Sequence, residues 1–347
     1  MTTSTNTTTA SNSRLRVGYI PEHFASPLLQ LARSPWGQAN IDLVPCPSGT
    51  GQVLSSFDSG STSGQTIDVA IALTESLIAG IAKGRKDIKL VGSYVRSSLV
   101  WAVITGGPSS LAASKYKGIG DLKGSDIGIS RVGSGSQIMG SVMALQQQWG
   151  PSDIGFAVKD TFQGLRDSVN DGSTSAFMWE TFTTKPYFDT GEVSKIGEVP
   201  TPWPGWSIAA SVDTTLAGAD QRAKLEDFLQ RLQQSIVDFT SPSSFAANAP
   251  RDFIVGELKY QPRDVEDWLQ TVRWVGEGRP NDEHNTANLL DNGQSTTTTT
   301  VSRQTLAKTL KTLHEAGVLT QKQAIDEADP DLFVDPWGNG SEGRLVA

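Results

Sequence analysis

What this chain has little of excludes several kinds of chemistry. Cys46 is its single cysteine, so an intramolecular disulfide, a cysteine-built zinc site and an iron–sulfur cluster are ruled out. The three histidines, His23, His284 and His314, stand far apart in the sequence and show no metal-ligand spacing. No run approaches the ~18 apolar residues needed to span a bilayer. Basic residues are outnumbered, with 29 Lys and Arg against 37 Asp and Glu and a formal net charge of −8. That is the wrong sign for a general nucleic-acid binder, which must neutralise phosphates. The first thirteen residues lack acidic side chains and any apolar core that could act as a secretory signal. Residues 1–13 are therefore expected to be a disordered tail and the protein cytoplasmic, with a mitochondrial presequence as the weaker alternative. The sequons at Asn6 and Asn339 then read as chance matches.

What is there is ordinary in bulk and organised in detail. A chain of 347 residues, 37% hydrophobic and 19% charged, is long enough for two domains with substantial cores. Its organising stretch is Ile127 to Gly150, which reads as a short apolar strand, a glycine-serine turn and a helix. Gly133 and Gly135 supply the backbone freedom for a sharp turn, and Ser134 or Ser136 can cap the helix start. Ile138, Val142, Leu145 and Trp149 then fall on one helical face. A helix N-terminus behind such a turn leaves N–H groups free and concentrates positive dipole, so it suits a carboxylate, sulfonate or phosphate. Arg131 adds a planar cation, so an oxyanion is expected at Arg131, Ser134, Gly135 and Ser136. The plain alternative is a strand-turn-helix in which Ser134 only caps.

The same arrangement recurs along the chain. Leu15 to Ile20 forms a first strand, and Pro21-Glu22-His23 a polar loop at its carboxyl end, where ligands are met in open α/β sheets. His23 is thus the histidine placed for binding or chemistry, against a plain role as a hydrogen-bonded loop residue. Ile41 to Pro45 leads into Ser48-Gly49-Thr50-Gly51, and Ile67 to Leu73 into Thr74-Glu75. Ala176 to Trp179 is followed by Glu180 and Thr181, and Trp203 and Trp206 flank prolines as rigid flat surfaces suited to a cleft or to core. Alternating strands and helices imply a mostly parallel sheet covered on both faces. Helices follow over 221–239 and 262–275, then a polar stretch from Asn281 to Thr300 expected to be mobile, and two last helices. The tail beyond Asp329 is expected to be loosely held.

The segments VGYIPEHFASPL, PSGTGQVLSSF, IDVAIALTESLIAGIAKG, SSLVWAVITG, DLKGSDIGISRVGSGSQIMGSVMALQQQWG, FMWETFTTKPYF and IGEVPTPWPGW resemble the fungal intracellular branch of the type II periplasmic-binding fold. That branch is similar to bacterial receptors for sulfonates, nitrate and taurine and, more distantly, to the thiamine-pyrimidine synthases. SRVGSGS and FMWETF carry the likeness most sharply. It implies two α/β lobes around a ligand cleft, with lobe 1 at 14–104 and 209–325, lobe 2 at 105–208 and a C-terminal tail at 326–347. The expected ligand contacts are Glu22, His23, Gly49, Thr50, Gly51, Thr74, Glu75, Arg131, Ser134, Gly135, Ser136, Trp179, Glu180, Trp203 and Trp206. No metal or cofactor is expected, and the expected partner is a small, anionic or pyrimidine-like molecule rather than nucleic acid or membrane. Three functions compete. The first is a small-molecule binder, favoured because turn glycines, hydroxyls, an arginine and aromatics outnumber acid/base pairs. The second is an enzyme on the same scaffold, a pyrimidine-synthase relative or a lyase using His23, although the synthases' cysteine-rich motif is missing. The third is an adaptor with a vestigial cleft.

Overall fold

The computed structural model describes residues 14–58, 66–110, 115–150, 152–279, 296–324, 329–337 and 343–346. The chain begins with β1 (Leu15–Tyr19), α1 (Ser26–Arg33), α2 (Pro35–Asn40), β2 (Ile41–Pro45), α3 (Thr50–Ser56), β3 (Val69–Leu73), α4 (Thr74–Ala82) and β4 (Ile88–Val95). It crosses to a second unit made of β5 (Val100–Gly106), β6 (Ser125–Ile129), α5 (Gly135–Gln146), β7 (Ile154–Val158), α6 (Phe162–Asn170), β8 (Ala176–Glu180), α7 (Thr181–Asp189) and β9 (Val193–Pro200). It then returns through β10 (Trp206–Ser211) to α8 (Ala219–Phe239), α9 (Pro242–Ala246), α10 (Ala249–Leu258) and α11 (Pro262–Thr271). β11 (Val301–Ser302), α12 (Arg303–Glu315), α13 (Gln321–Ala324), α14 (Pro330–Phe333) and β12 (Leu345–Val346) complete it.

Two five-stranded sheets result, ordered β2-β1-β3-β10-β4 and β7-β6-β8-β5-β9. Each is parallel except where the chain crosses between lobes: β10 runs antiparallel between β3 and β4, and β5 antiparallel between β8 and β9. β3, Val-Ala-Ile-Ala-Leu, is buried throughout, as a central strand covered on both faces must be. The exchange of strands corrects the expected lobe boundaries at 104/105 and 208/209. β5 lies wholly in the second sheet and β10 in the first, so the crossovers are residues 96–99 and 201–205. An apolar run such as Leu99 to Thr105 shows that a strand exists, not which sheet takes it.

Two further expectations change. Residues 280–295 of the polar stretch, like the N-terminal tail 1–13, lie outside the described residues. Its threonine end, however, is packed. Thr298 Oγ1 donates to the Leu229 carbonyl at 2.7 Å, Thr298 N to Gln233 Oε1 at 3.0 Å, and Ser93 Oγ to the Thr300 carbonyl at 2.8 Å. Gly92 is required there, since a Cβ on it would stand 1.8 Å from the Thr298 carbonyl oxygen. The segment after Asp329 is also held. Asp335 N donates to Leu90 O at 2.9 Å, and Arg344, fully buried, donates to Val91 O at 3.1 Å, to Asp335 and to Glu226. Polar composition in the first segment and little periodicity in the second suggested looseness, but their polar groups are bonded to β4 and α8.

The crossovers are bonded to each other. Thr201 N donates to Leu99 O at 2.9 Å, Leu99 N to Thr201 Oγ1 at 3.0 Å, Ser98 Oγ to Thr201 O at 2.9 Å, and Gly205 N to Ser97 O at 3.0 Å. Among the described residues, no helix is long and apolar enough to cross a membrane.

Candidate functional site

The cleft between the lobes is built at carboxyl ends of strands, where parallel strands leave loops and helix N-termini facing the same space. Ile20 and Glu22 follow β1, Ser48 to Gly51 follow β2, and Leu73 ends β3. Facing them, Ser130 follows β6, Ser134, Gly135 and Ser136 open α5, and Trp179 and Glu180 end β8. Leu99, Trp101 and Trp206 complete the lining from the crossovers and the first residues after them. The cavity has a volume of about 40 Å³; at roughly 10–15 Å³ for one water on this measure, it takes about three. The lobes therefore stand close together.

Two glycines make that closeness possible. A Cβ on Gly135, in the second lobe, would lie 2.8 Å from Leu73 Cδ1 of the first and 3.0 Å from Trp101 Cη2. On the other side of the cleft, a Cβ on Gly51 would lie 2.7 Å from Arg131 Cδ. The turns before the two helices rest on Gly49 and Gly133, each at φ 80°, in the left-handed region that glycine enters at no steric cost.

The helix starts present donors. Ser134 caps α5 by accepting from Gln137 N at 3.5 Å and shares a 2.9 Å hydrogen bond with Ser136 Oγ, which accepts from Ser130 N at 3.1 Å. Thr50 Oγ1 accepts from Leu73 N at 3.3 Å. These hydroxyls thus brace the turns, while the first turns of α3 and α5 carry the free amides and dipole that favour an anion. More telling are the indoles of Trp101 and Trp206. Each is at most 5% exposed, each lines the cavity, and the Nε1 of each is buried without a hydrogen-bond partner. A buried N–H without an acceptor costs free energy unless something supplies one.

Carboxyls form the other component. Glu22 is held by burial and by the Glu180 charge at about 8, despite a bond to Trp179. Burial pushes Glu180 to about 7, although Thr183 N donates to it at 2.6 Å as the α7 cap. His23 is buried behind them against Phe24, Tyr260 and Trp268, with Nε2 3.7 Å from Glu180 Oε2 and neither ring nitrogen hydrogen-bonded. Burial lowers it to about 3, so it is neutral near pH 7.

Of the fifteen expected contacts, Glu22, Gly49, Thr50, Gly51, Ser134, Gly135, Ser136, Trp179, Glu180 and Trp206 line one cavity. Five do not. His23 sits behind the carboxyls. Arg131 crosses the cleft at its rim and donates from Nη2 to the Ser48 carbonyl at 2.7 Å, so it joins the lobes instead of facing the cavity. Thr74 bonds Ser207 Oγ at 2.8 Å. Glu75 Oε2 accepts from Trp203 Nε1 at 2.9 Å, and Trp203, itself in the second crossover, is wholly buried. A strand end followed by hydroxyl and acid marked these positions, but a helix's first turn points only some of its side chains at the cleft. The reading missed Trp101, which pairs with Glu180 across β5 and β8. The signal was an aromatic within two residues of a crossover.

Comparison with known proteins follows the same outline. No curated protein sequence matches the chain. The family model for Ca3427-like PBP matches residues 101–199, which is the second lobe from β5 to β9. Among solved structures, the Candida albicans CA3427 gene product, described as defining a new family with the generic periplasmic binding protein fold, is 31% identical. That match covers 92% of this chain and 95% of that one, with a TM-score of 0.73. The alkanesulfonate-binding protein SsuA of Xanthomonas axonopodis pv. citri, bound to MOPS, is 15% identical over 89% of this chain and 95% of its own, TM-score 0.61. The nitrate-binding protein NrtA of Synechocystis PCC 6803 is 13% identical over 92% and 86%, TM-score 0.63. With a relative this similar over nearly its whole length, and a two-lobed fold of the same kind, the chain belongs to the Ca3427-like family of proteins with the periplasmic-binding-protein fold.

Proposed function

We propose that this protein is a solute-binding protein that holds a small oxyanion, a sulfonate, phosphate or carboxylate, between its lobes. The observation that carries the reading is that Trp101 and Trp206, whose buried indole N–H groups have no partner, both line the cavity that the first turns of α3 and α5 also line. Donors of both kinds call for an acceptor-rich ligand, and hydrogen bonds to a charged group are stronger than those to a neutral one. The alkanesulfonate- and nitrate-binding proteins that share the fold are named for anions of this chemistry, which supports the class and not the compound. An enzyme using His23 draws no support, because the imidazole is neutral, enclosed by aromatic rings and off the cavity lining.

The test is calorimetric titration with sulfonates, phosphates, carboxylates and nitrate, accompanied by tryptophan emission. Binding is expected for at least one class. Trp101→Phe and Trp206→Phe should each weaken it by roughly tenfold to a hundredfold, the worth of one hydrogen bond to a charged acceptor. A ligand that binds equally well to both variants, or no ligand in any class, overturns the reading.

A further inference from the structure

Building on that oxyanion reading, we infer that the ligand also carries a cationic group, an amine seated between Glu22 and Glu180. These carboxyls come from facing lobes, Glu22 from the loop after β1 and Glu180 from the end of β8, and both line the cavity. Among the described residues, no lysine or arginine lines it with them. The charged and titratable groups nearby are committed or silent, and Glu198, whose charge also raises Glu180, is bonded to Lys195 Nζ at 2.6 Å. Arg131 is bonded to the Ser48 carbonyl, Lys185 of α7 pairs with Asp264 of α11 at 3.3 Å, His23 is neutral, and the Tyr260 hydroxyl, bonded to Thr183 Oγ1 at 3.1 Å, is raised well above its ordinary range by burial and by the Glu22 charge. Closing the lobes therefore brings two acids together with no cation from the protein. Something must neutralise them, either a proton or a positive group on the ligand.

The donor set argues for the latter. A cavity lined by two tryptophans whose indole N–H groups lack a partner, by the first turn of α5 and by two carboxyls is complementary in charge to a small zwitterion. If a proton neutralised the acids instead, closing on a plain anion would require proton uptake, and affinity would fall as pH rises through the range where Glu22 and Glu180 titrate. An alkyl amine stays protonated well above neutrality, so a zwitterion needs no such uptake.

The experiment compares two isosteric pairs on the full-length protein by calorimetry, from pH 6 to 8 and in two buffers of different ionisation heat: 2-aminoethanesulfonate with 1-propanesulfonate, and 3-aminopropanoate with butanoate. The amine-bearing member of at least one pair should bind at least about tenfold more tightly at pH 8, as expected for a desolvated charge pair, and without proton uptake. The preference should shrink toward pH 6. Glu22→Gln should abolish it, as should Glu180→Gln, which keeps an acceptor for the Thr183 amide. Amine-free isosteres that bind as tightly or more tightly at pH 8 overturn the inference and leave the oxyanion reading standing. If none of the four binds at millimolar concentration, this inference is overturned, while the oxyanion reading is decided separately by the wider panel of sulfonates, phosphates, carboxylates and nitrate.

Discussion

At Gly135 the facing lobe and a strand of the same lobe leave no room for one more atom. At the first position of α5, a Cβ would press on Leu73 Cδ1 at 2.8 Å in the other lobe and on Trp101 Cη2 at 3.0 Å in its own. Gly135→Ala is therefore expected to lower ligand affinity at least several-fold, by more than it lowers thermal stability without ligand; a melting curve and a titration on the same sample decide it. Glu75 makes a different kind of residue-scale prediction. Buried and bonded to Trp203, its carboxyl is raised by burial to about 7, so between its ordinary value near 4.5 and 7 the folded chain holds a proton that the unfolded chain has released. Stability from this group is present below pH 4.5 and is lost as pH rises through 7, by up to about 1.4 kcal/mol per pH unit while the group titrates. Glu75→Gln, which still accepts from Trp203 Nε1, should flatten that decline in denaturation midpoints between pH 5 and 8. An unchanged slope would remove Glu75 as its source.

At the scale of elements, the crossovers work as a pair. Thr201 joins them three ways, through its amide, its carbonyl and a hydroxyl that accepts from Leu99 N and donates to Trp203 O at 2.7 Å. Thr201→Val keeps the shape and leaves a buried amide and a buried carbonyl unsatisfied, so a loss of about 1–3 kcal/mol in chemical denaturation is expected. Arg131→Ala should act otherwise. It removes one bond between the lobes without touching the cavity, so affinity should drop by less than about tenfold, and by a similar factor for every ligand that binds. A ligand-specific loss would place the guanidinium on the ligand after all. The strands and turns around these elements were legible in the sequence because β-branched runs and glycine-hydroxyl turns alternate. Ile41 to Pro45 matches to the residue. Helices α7 and α10 were not read: Pro186 interrupts the first, and the second carries little apolar periodicity. Which helix-start side chains face the cleft depends on how the lobes meet, a property of tertiary packing that no local pattern holds. Hence Glu22 and Ser134 line the cavity, while Thr74 and Glu75 do not.

For the whole molecule, a ligand bound between the lobes at a hundred times its dissociation constant should stabilise the fold by about 2.7 kcal/mol. Arg344→Ala tests the other end of the structure. It strips the partner from Glu226 while Arg222 Nη1 still reaches Asp335 at 2.8 Å, so the low end of the cost of breaking a buried pair, about 3 kcal/mol, is expected. That arginine also bears on the order in which the molecule is made. The second lobe is one continuous stretch from β5 to β9, but the first needs β10 in the middle of its sheet and Arg344 against β4. On the ribosome, β1 to β4 emerge first and must wait with the seat of β10 unfilled, while the stretch that follows can close around its own sheet. The lobe that is synthesised first is finished last, the reverse of the usual N-terminal-first order. Its open sheet during that interval is the surface on which a chaperone, or a neighbouring nascent chain, would act.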